Sequence, residues 1–304
     1  MSAAGNLSTE AGRRTEVDML SSLVQDRVQS GAVKLPLLPQ VAGQVIALLG
    51  NPNVDAARLS ALIHRDPGMA GQILRVANSP AYAPRMPIVS LQQAVARLGL
   101  NALGEIAFSI SLQSGTFKVP GHEKDLQRLW RHALASGAWG KEIARSRRSN
   151  IESAFLCGLL HEVGKPALLQ TIVDVATELG LEHNTPRVRA LLELHHAAVG
   201  RRIAEAWSLP GAVAASIVHY REPSAAGPYV HDVLVTCLGD RLATWLVDAQ
   251  PAPAGTGEAA GDEGGDLDIR EQPVFAELNF YPDEVEALLG KRDAVLATVE
   301  AMTL

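Results

Sequence analysis

The spacing of apolar residues narrows the possible folds of this chain more than any other feature. Apolar side chains return every three or four positions along nearly its whole length, as in Leu91, Ala94, Val95 and Leu98, then Leu103, Ile106, Ala107 and Ile110. That is the pattern of helices with one buried stripe. No stretch shows the sustained alternation, rich in Val, Ile and Thr, that marks a half-buried strand, and aromatic residues are only 4% of the total. An all-α helical bundle is expected.

Local punctuation divides the helices. Asp66 can cap a helix whose first residue is Pro67, where a missing N–H costs nothing, so one helix should end near Arg65 and another begin at once. That second helix should stop around Asn78, Ser79 and Pro80. Further breaks fall at Lys34 to Pro39, Val119 to Gly121, Asn184 to Pro186, Leu209 to Gly211 and Glu222 to Pro228. The stretch from Gln250 to Asp268 is rich in Gly, Ala and Pro and carries only acidic charge, so residues 248–270 read as a solvated, mobile loop. Helical spacing then resumes over 271–304, which should pack back on the core.

A chain of 304 residues with 47% hydrophobic content can bury one sizeable core or two modest ones. Its formal net charge of −6 argues against electrostatic nucleic-acid binding, which needs a clustered basic surface. Arg145, Arg147 and Arg148 are the local exception and read as the solvated end of a helix, where cations also suit the dipole. Cys157 and Cys237 sit in apolar stretches and are expected to be buried thiols in a reducing compartment. The first residues lack an apolar leader, and no apolar run is long enough to span a bilayer; a cytoplasmic protein without membrane contact is expected.

Three stretches of the first half, LPLLPQVAGQVIALL, LSALIHRDPGMAGQILRVANSPAY and IVSLQQAVARLGLNAL, resemble the N-terminal lobe of the HDOD family. The Asp-Pro at 66 and 67, the Asn-Ser at 78 and 79 and the Leu-Gly at 98 and 99 follow that family's order. The second half is similar to an HD-type helical core through LWRHALASGAWGKEIA, AFLCGLLHEVGK, HHAAVGRRIAEAWSLP, AASIVHY and VLVTCLGDRLA. The resemblance implies an N-terminal extension over 1–33 and an HDOD domain over 34–247. Within that domain, residues 34–118 would form the N-terminal lobe and 119–247 the HD-like core. The function it implies is that of a bacterial signal-transduction output module related to metal-dependent phosphohydrolases.

By the same resemblance, His132, His161, Glu162, His196, His219 and Asp240 would form a metal-ligand set, and Lys165 would face a phosphate in an active relative. A centre of this kind gathers histidines and carboxylates from several helices onto one or two ions, and Fe or Mn suits such donors. Neither cysteine lies in a CxxC pattern, which argues against Zn held by thiolates. Read without the family, His132 is equally a core histidine bonded to a backbone carbonyl, and His161 with Lys165 is equally a helix C-terminus. His196, in register with Leu192, Val199 and Ile203, faces inward, while His195 points about a quarter-turn away. Asp240 shares a face with Val233, Cys237 and Thr244, and its burial requires a metal, a cation or several donors.

The pair at 161 and 162 reads His-Glu where active relatives read His-Asp. The extra methylene moves the carboxylate by about 1.5 Å, and a misplacement of about 1 Å can cost ~10²-fold in rate. The text after the pair, KPALLQTIVDVATELG, also lacks the Gly-Tyr-Pro cluster of cyclic-di-GMP phosphodiesterases. The leading expectation is an output module that binds a signalling protein partner or a nucleotide or cyclic dinucleotide ligand. Its rivals are a metal-dependent phosphohydrolase acting on such ligands and a metal-free helical scaffold.

Overall fold

The computed structural model describes residues 19–49, 61, 63, 65–82, 84, 86–180, 185–248 and 268–304. Among them there is no β-strand, and the all-α expectation holds. Helix α1 (19–30), in the expected N-terminal extension, reaches the second half through an Arg27–Glu178 ion pair, and α2 (Gln40–Leu49), α3 (Pro67–Ala77), α4 (Leu91–Leu98) and α5 (Leu100–Gln113) make the N-terminal lobe. Its central member is α5, buried continuously from Leu103 to Leu112 and covered by α2, α3 and α4. Full burial of a side chain such as Leu103 or Phe108 contributes about 1.5–3 kcal/mol, so α5 anchors the lobe.

The local signals of this lobe work as their sequence predicts. Asp66 accepts a hydrogen bond from the Met69 N–H at 3.1 Å, and Pro67 opens α3. Asn78 ends α3 and pins the following loop: its amide donates to the Leu74 and Ile88 carbonyls, both at 2.8 Å, and its oxygen accepts from the Ile88 N–H at 2.7 Å. Gly99 joins α4 to α5 at φ 83°, a conformation that penalises any residue with a Cβ.

The second half is built on α6 (Glu123–Arg147), which packs against α7 (Ile151–Leu160) and α11 (Val230–Ala243). The layer beside them consists of α8 (Gly164–Leu179), α9 (Thr185–Ala206) and α10 (Gly211–His219). The halves are joined by a buried ion pair between Glu105 of α5 and Lys141 of α6, whose ammonium also lies 5.5 Å from the Phe155 ring centroid. Burial pushes the Glu105 carboxyl above its ordinary range, and Lys141 opposes that rise.

The stretch expected to form an acidic loop lies outside the described residues from 249 to 267, as do residues 1–18 of the expected N-terminal extension. Beyond it, α12 (Pro273–Glu277), α13 (Pro282–Leu289) and α14 (Arg292–Met302) return to the bundle, α14 lying against α3, α5 and α6. This return corrects the reading of Arg147 as a solvated cation. Its guanidinium donates to the Asn279 carbonyl at 2.7 Å, pairs with Glu284 and covers the Phe280 ring at 3.9 Å. The end of α6 is a docking point for the tail. Both cysteines are free and buried, and no helix among the described residues is long and apolar enough to cross a membrane.

Candidate metal centre

Glycines at helix crossings bring the polar side chains together. A Cβ on Gly158 of α7 would lie 2.5 Å from the Ser136 carbonyl of α6, and one on Gly239 of α11 would lie 2.9 Å from the same oxygen. Both helices therefore rest on the backbone of α6 one turn beyond His132. Helix α7 ends at Leu160, His161 caps it, and α8 starts at Gly164, so His161 and Lys165 do not share one continuous helix. A Cβ on Gly164 would lie 2.0 Å from the His196 carbonyl, which holds the start of α8 tightly against α9.

These crossings place one donor atom each from His132, His161, Glu162 and Asp240 within 4.8 Å of one another. Asp240 Oδ1 lies 2.9 Å from His132 Nε2 and 3.2 Å from His161 Nε2. The other nitrogen of the His161 ring, Nδ1, lies 2.7 Å from the Gly158 carbonyl. A carbonyl oxygen only accepts, so Nδ1 carries the proton, and in a neutral ring Nε2 then presents a lone pair. That lone pair faces Asp240, a carboxylate that also only accepts. A cation shared by the two groups resolves the conflict, and backbone anchoring of the far nitrogen is how metal-binding imidazoles are commonly oriented. Two imidazoles and two carboxylates suit Fe or Mn. Burial alone would raise the Asp240 carboxyl, but the adjacent His132 and His161 hold it well below the usual range.

The other side of the pocket is charged differently. Glu162, buried, receives the Lys165 ammonium at 2.5 Å and the Tyr220 hydroxyl at 3.0 Å, both on Oε1. Lys165 also reaches Glu193 Oε1 at 2.6 Å, and Arg221 pairs with the second oxygen of Glu193 while donating from Nε to the Tyr220 hydroxyl at 2.9 Å. Burial would raise the Glu162 carboxyl, yet Lys165, His161 and His132 together hold it at about 2. His196 is buried with Nδ1 unpaired, and burial pushes its imidazole down to about 4, so it stays neutral. The cavity above measures about 320 Å³; Leu129, Leu169 and Leu192 form apolar walls, and Arg128, Arg189 and Arg221 line it together with the carboxylates of Asp125 and Glu193.

The HDOD domain profile matches residues 35–223, more than half of the chain. The chain belongs to the HDOD family. A 25% identical curated relative, an uncharacterised protein from Treponema pallidum (strain Nichols), aligns over 226 residues, covering 71% of this HDOD chain and 42% of the relative. The HDOD chain thus spans less than half the length of that relative. An HDOD domain protein of unknown function from Geobacter sulfurreducens shares the fold at a TM-score of 0.69 and 22% identity, with 95% of this chain and 99% of that one covered. A candidate metal-dependent phosphohydrolase from Shewanella amazonensis SB2B superimposes at a TM-score of 0.66 and 18% identity, covering 95% and 98%. A candidate signal transduction protein from Marinobacter aquaeolei VT8 gives 0.62 and 23%, covering 93% and 66%. At these identities the solved structures establish the shared fold.

Among the residues expected to form this HDOD centre, the structure brings His132, His161, Glu162 and Asp240 together and sets His196 beside them, next to Glu162. His219 is the exception. It ends α10 and lines a separate surface depression with Arg201 and Tyr229. Successive residues on a helical turn point about 100° apart, so once Tyr220 is turned inward, 2% exposed, His219 must turn away. Lys165 is likewise held by two carboxylates. Glu193, Tyr220 and Arg221 escaped the sequence reading. The available signals were the Glu-x-x-His spacing of Glu193 and His196 and the position of Tyr220 directly after a histidine at a helix end.

Proposed function

We propose that this HDOD protein is a signal-transduction output module that works by binding. Its pocket would hold a divalent metal, Fe or Mn, on His132, His161, Glu162 and Asp240. Arg128 and Arg189 in the cavity wall would receive an anionic ligand of the nucleotide or cyclic dinucleotide class, and the helical surface would pass the occupied state to a signalling protein partner. In such centres a bound metal polarises a phosphate and lowers the pKa of a bound water.

The observation that carries the reading is the state of Glu162 and Lys165. The lysine placed to serve a phosphate is neutralised by Glu162 at 2.5 Å and by Glu193 at 2.6 Å, and Tyr220 completes the network. A lysine held by two carboxylates is ill placed to contact a transferred phosphoryl group, while the donor set beneath it is intact. The signal-transduction and phosphohydrolase descriptions of the structural neighbours accord with an HD-derived pocket used in signalling. The second reading, a metal-dependent phosphohydrolase acting on the same ligands, is favoured by the four-donor cluster.

Elemental analysis of protein purified without metal affinity tests the first step; less than about a tenth of an equivalent of Fe, Mn, Zn or Ni defeats the metal reading. A screen with mono- and dinucleotides then separates binding from turnover. Saturable binding without hydrolysis is expected, with hydrolysis emerging in Glu162→Asp. Turnover by the native protein that disappears in His161→Ala would make it an enzyme instead.

A further inference from the structure

Resting on that reading of the centre, we infer that Lys165 is a tethered cation occupying the place of a second metal ion, and that it limits the pocket to one metal. The place has its own donor set: one atom each from Glu162, Glu193 and His196 lies within 4.8 Å of the others. Glu162 belongs to this set and to the set made with His132, His161 and Asp240, so the two positions adjoin through a shared carboxylate. Glu193 and His196 stand three residues apart on α9, which puts them on one face of the helix a turn apart, a spacing that helical bundles use to hold paired metal ions.

An ammonium fills this place. Lys165 reaches in from the first turn of α8, with Nζ 2.5 Å from Glu162 and 2.6 Å from Glu193, and its side chain is only 9% exposed. His196 gives a second, independent indication. The residue is 2% exposed, its Nδ1 has no partner, and its Nε2 meets only the Tyr220 hydroxyl, 3.5 Å away and already donating to Glu162, so neither ring nitrogen is well satisfied within the protein.

Two carboxylates this close need a cation between them, because like charges cannot both remain ionised at short range without one. Lys165 meets the need from within the chain. A tethered group competes at an effective concentration on the order of millimolar or above, which a scarce free ion does not match. Replacing it with an uncharged side chain of similar bulk would free the Glu162 and Glu193 oxygens that it now holds.

Protein stripped with EDTA, reloaded with MnCl₂ and desalted provides the test, read by elemental analysis and by electron paramagnetic resonance. The native chain should retain one equivalent with the six-line signal of an isolated Mn(II). Lys165→Met should retain two equivalents, with the six-line signal lost to coupling between neighbouring ions, and Lys165→Met/Glu193→Gln should return to one. Two equivalents in the native chain, or one in a Lys165→Met protein with a native-like circular dichroism spectrum, would overturn the inference. The native measurement stands even if the variant does not fold. Failure of the primary centre reads differently: the native chain would hold none, while Lys165→Met would hold one equivalent that survives His132→Ala and is lost with Glu193→Gln. That outcome would sustain the role of Lys165 and remove the four-donor centre.

Discussion

On one side of the pocket Asp240 is met by two imidazoles, His132 and His161; on the other, Glu162 and Glu193 are met by an ammonium and a guanidinium. Both arrangements answer the cost of placing carboxylates away from water, but they leave different things undone. The lysine side is closed, its charges paired within the chain. The histidine side is open, because Gly158 fixes the proton of the His161 ring on Nδ1 and leaves Nε2, when the ring is neutral, turning a lone pair toward an acceptor. The difference teaches that a single pocket can be finished in one half and left unsatisfied in the other. The shared residue, Glu162, links the two.

Changes that attack the open half should have the largest effect on metal. Asp240→Ala is expected to lower Mn(II) affinity by more than about 100-fold, since losses of mere supporting partners already cost about 10–100-fold. Titration of Mn(II) followed by electron paramagnetic resonance measures this, and an affinity within a factor of three of the native value would show that Asp240 is no ligand. The closed half should instead declare itself in stability. In metal-free protein, Lys165→Met should destabilise by about 3–5 kcal/mol, the usual cost of stranding a buried charge, and Mn(II) should restore much of the loss. Urea unfolding with and without EDTA gives both numbers; equal midpoints for native and variant protein would mean that Lys165 does not neutralise the site.

Smaller effects sharpen the contrast. Tyr220→Phe removes a hydroxyl that donates to Glu162 and accepts from Arg221, and should cost about 1–3 kcal/mol in the same unfolding experiment, while His132 and Asp240 keep their metal. Last comes His219→Ala, expected to change stability by less than about 0.5 kcal/mol and to leave Mn(II) affinity alone. A tenfold fall in affinity there would place His219 in the centre after all.

How much of this was legible in the sequence follows the range of the interactions. Asp66, Pro67 and Asn78 act on backbone groups within about ten residues of themselves, so their roles can be read from local chemistry. The inward direction of His132, His196 and Asp240 follows from helical register, and the resemblance to HD-type cores supplies their meeting. Glu193, Tyr220 and Arg221 could not be placed that way, because their roles depend on how α9 and α10 are rotated about their axes. One residue of rotation exchanges His219 for Tyr220 in the pocket. Arg147 was misread for a related reason: the Asn279 carbonyl and Glu284 that receive it lie 132 and 137 residues further along the chain.

The match to the family ends at residue 223, whereas Asp240 stands on α11, resting through Gly239 on the same backbone carbonyl that receives Gly158. Anyone grafting the module into another protein by its family boundaries would carry over both imidazoles and leave behind the oxygen that they share. The smallest portable unit is therefore set by the donor cluster rather than by the family match, and it runs at least to the end of α11.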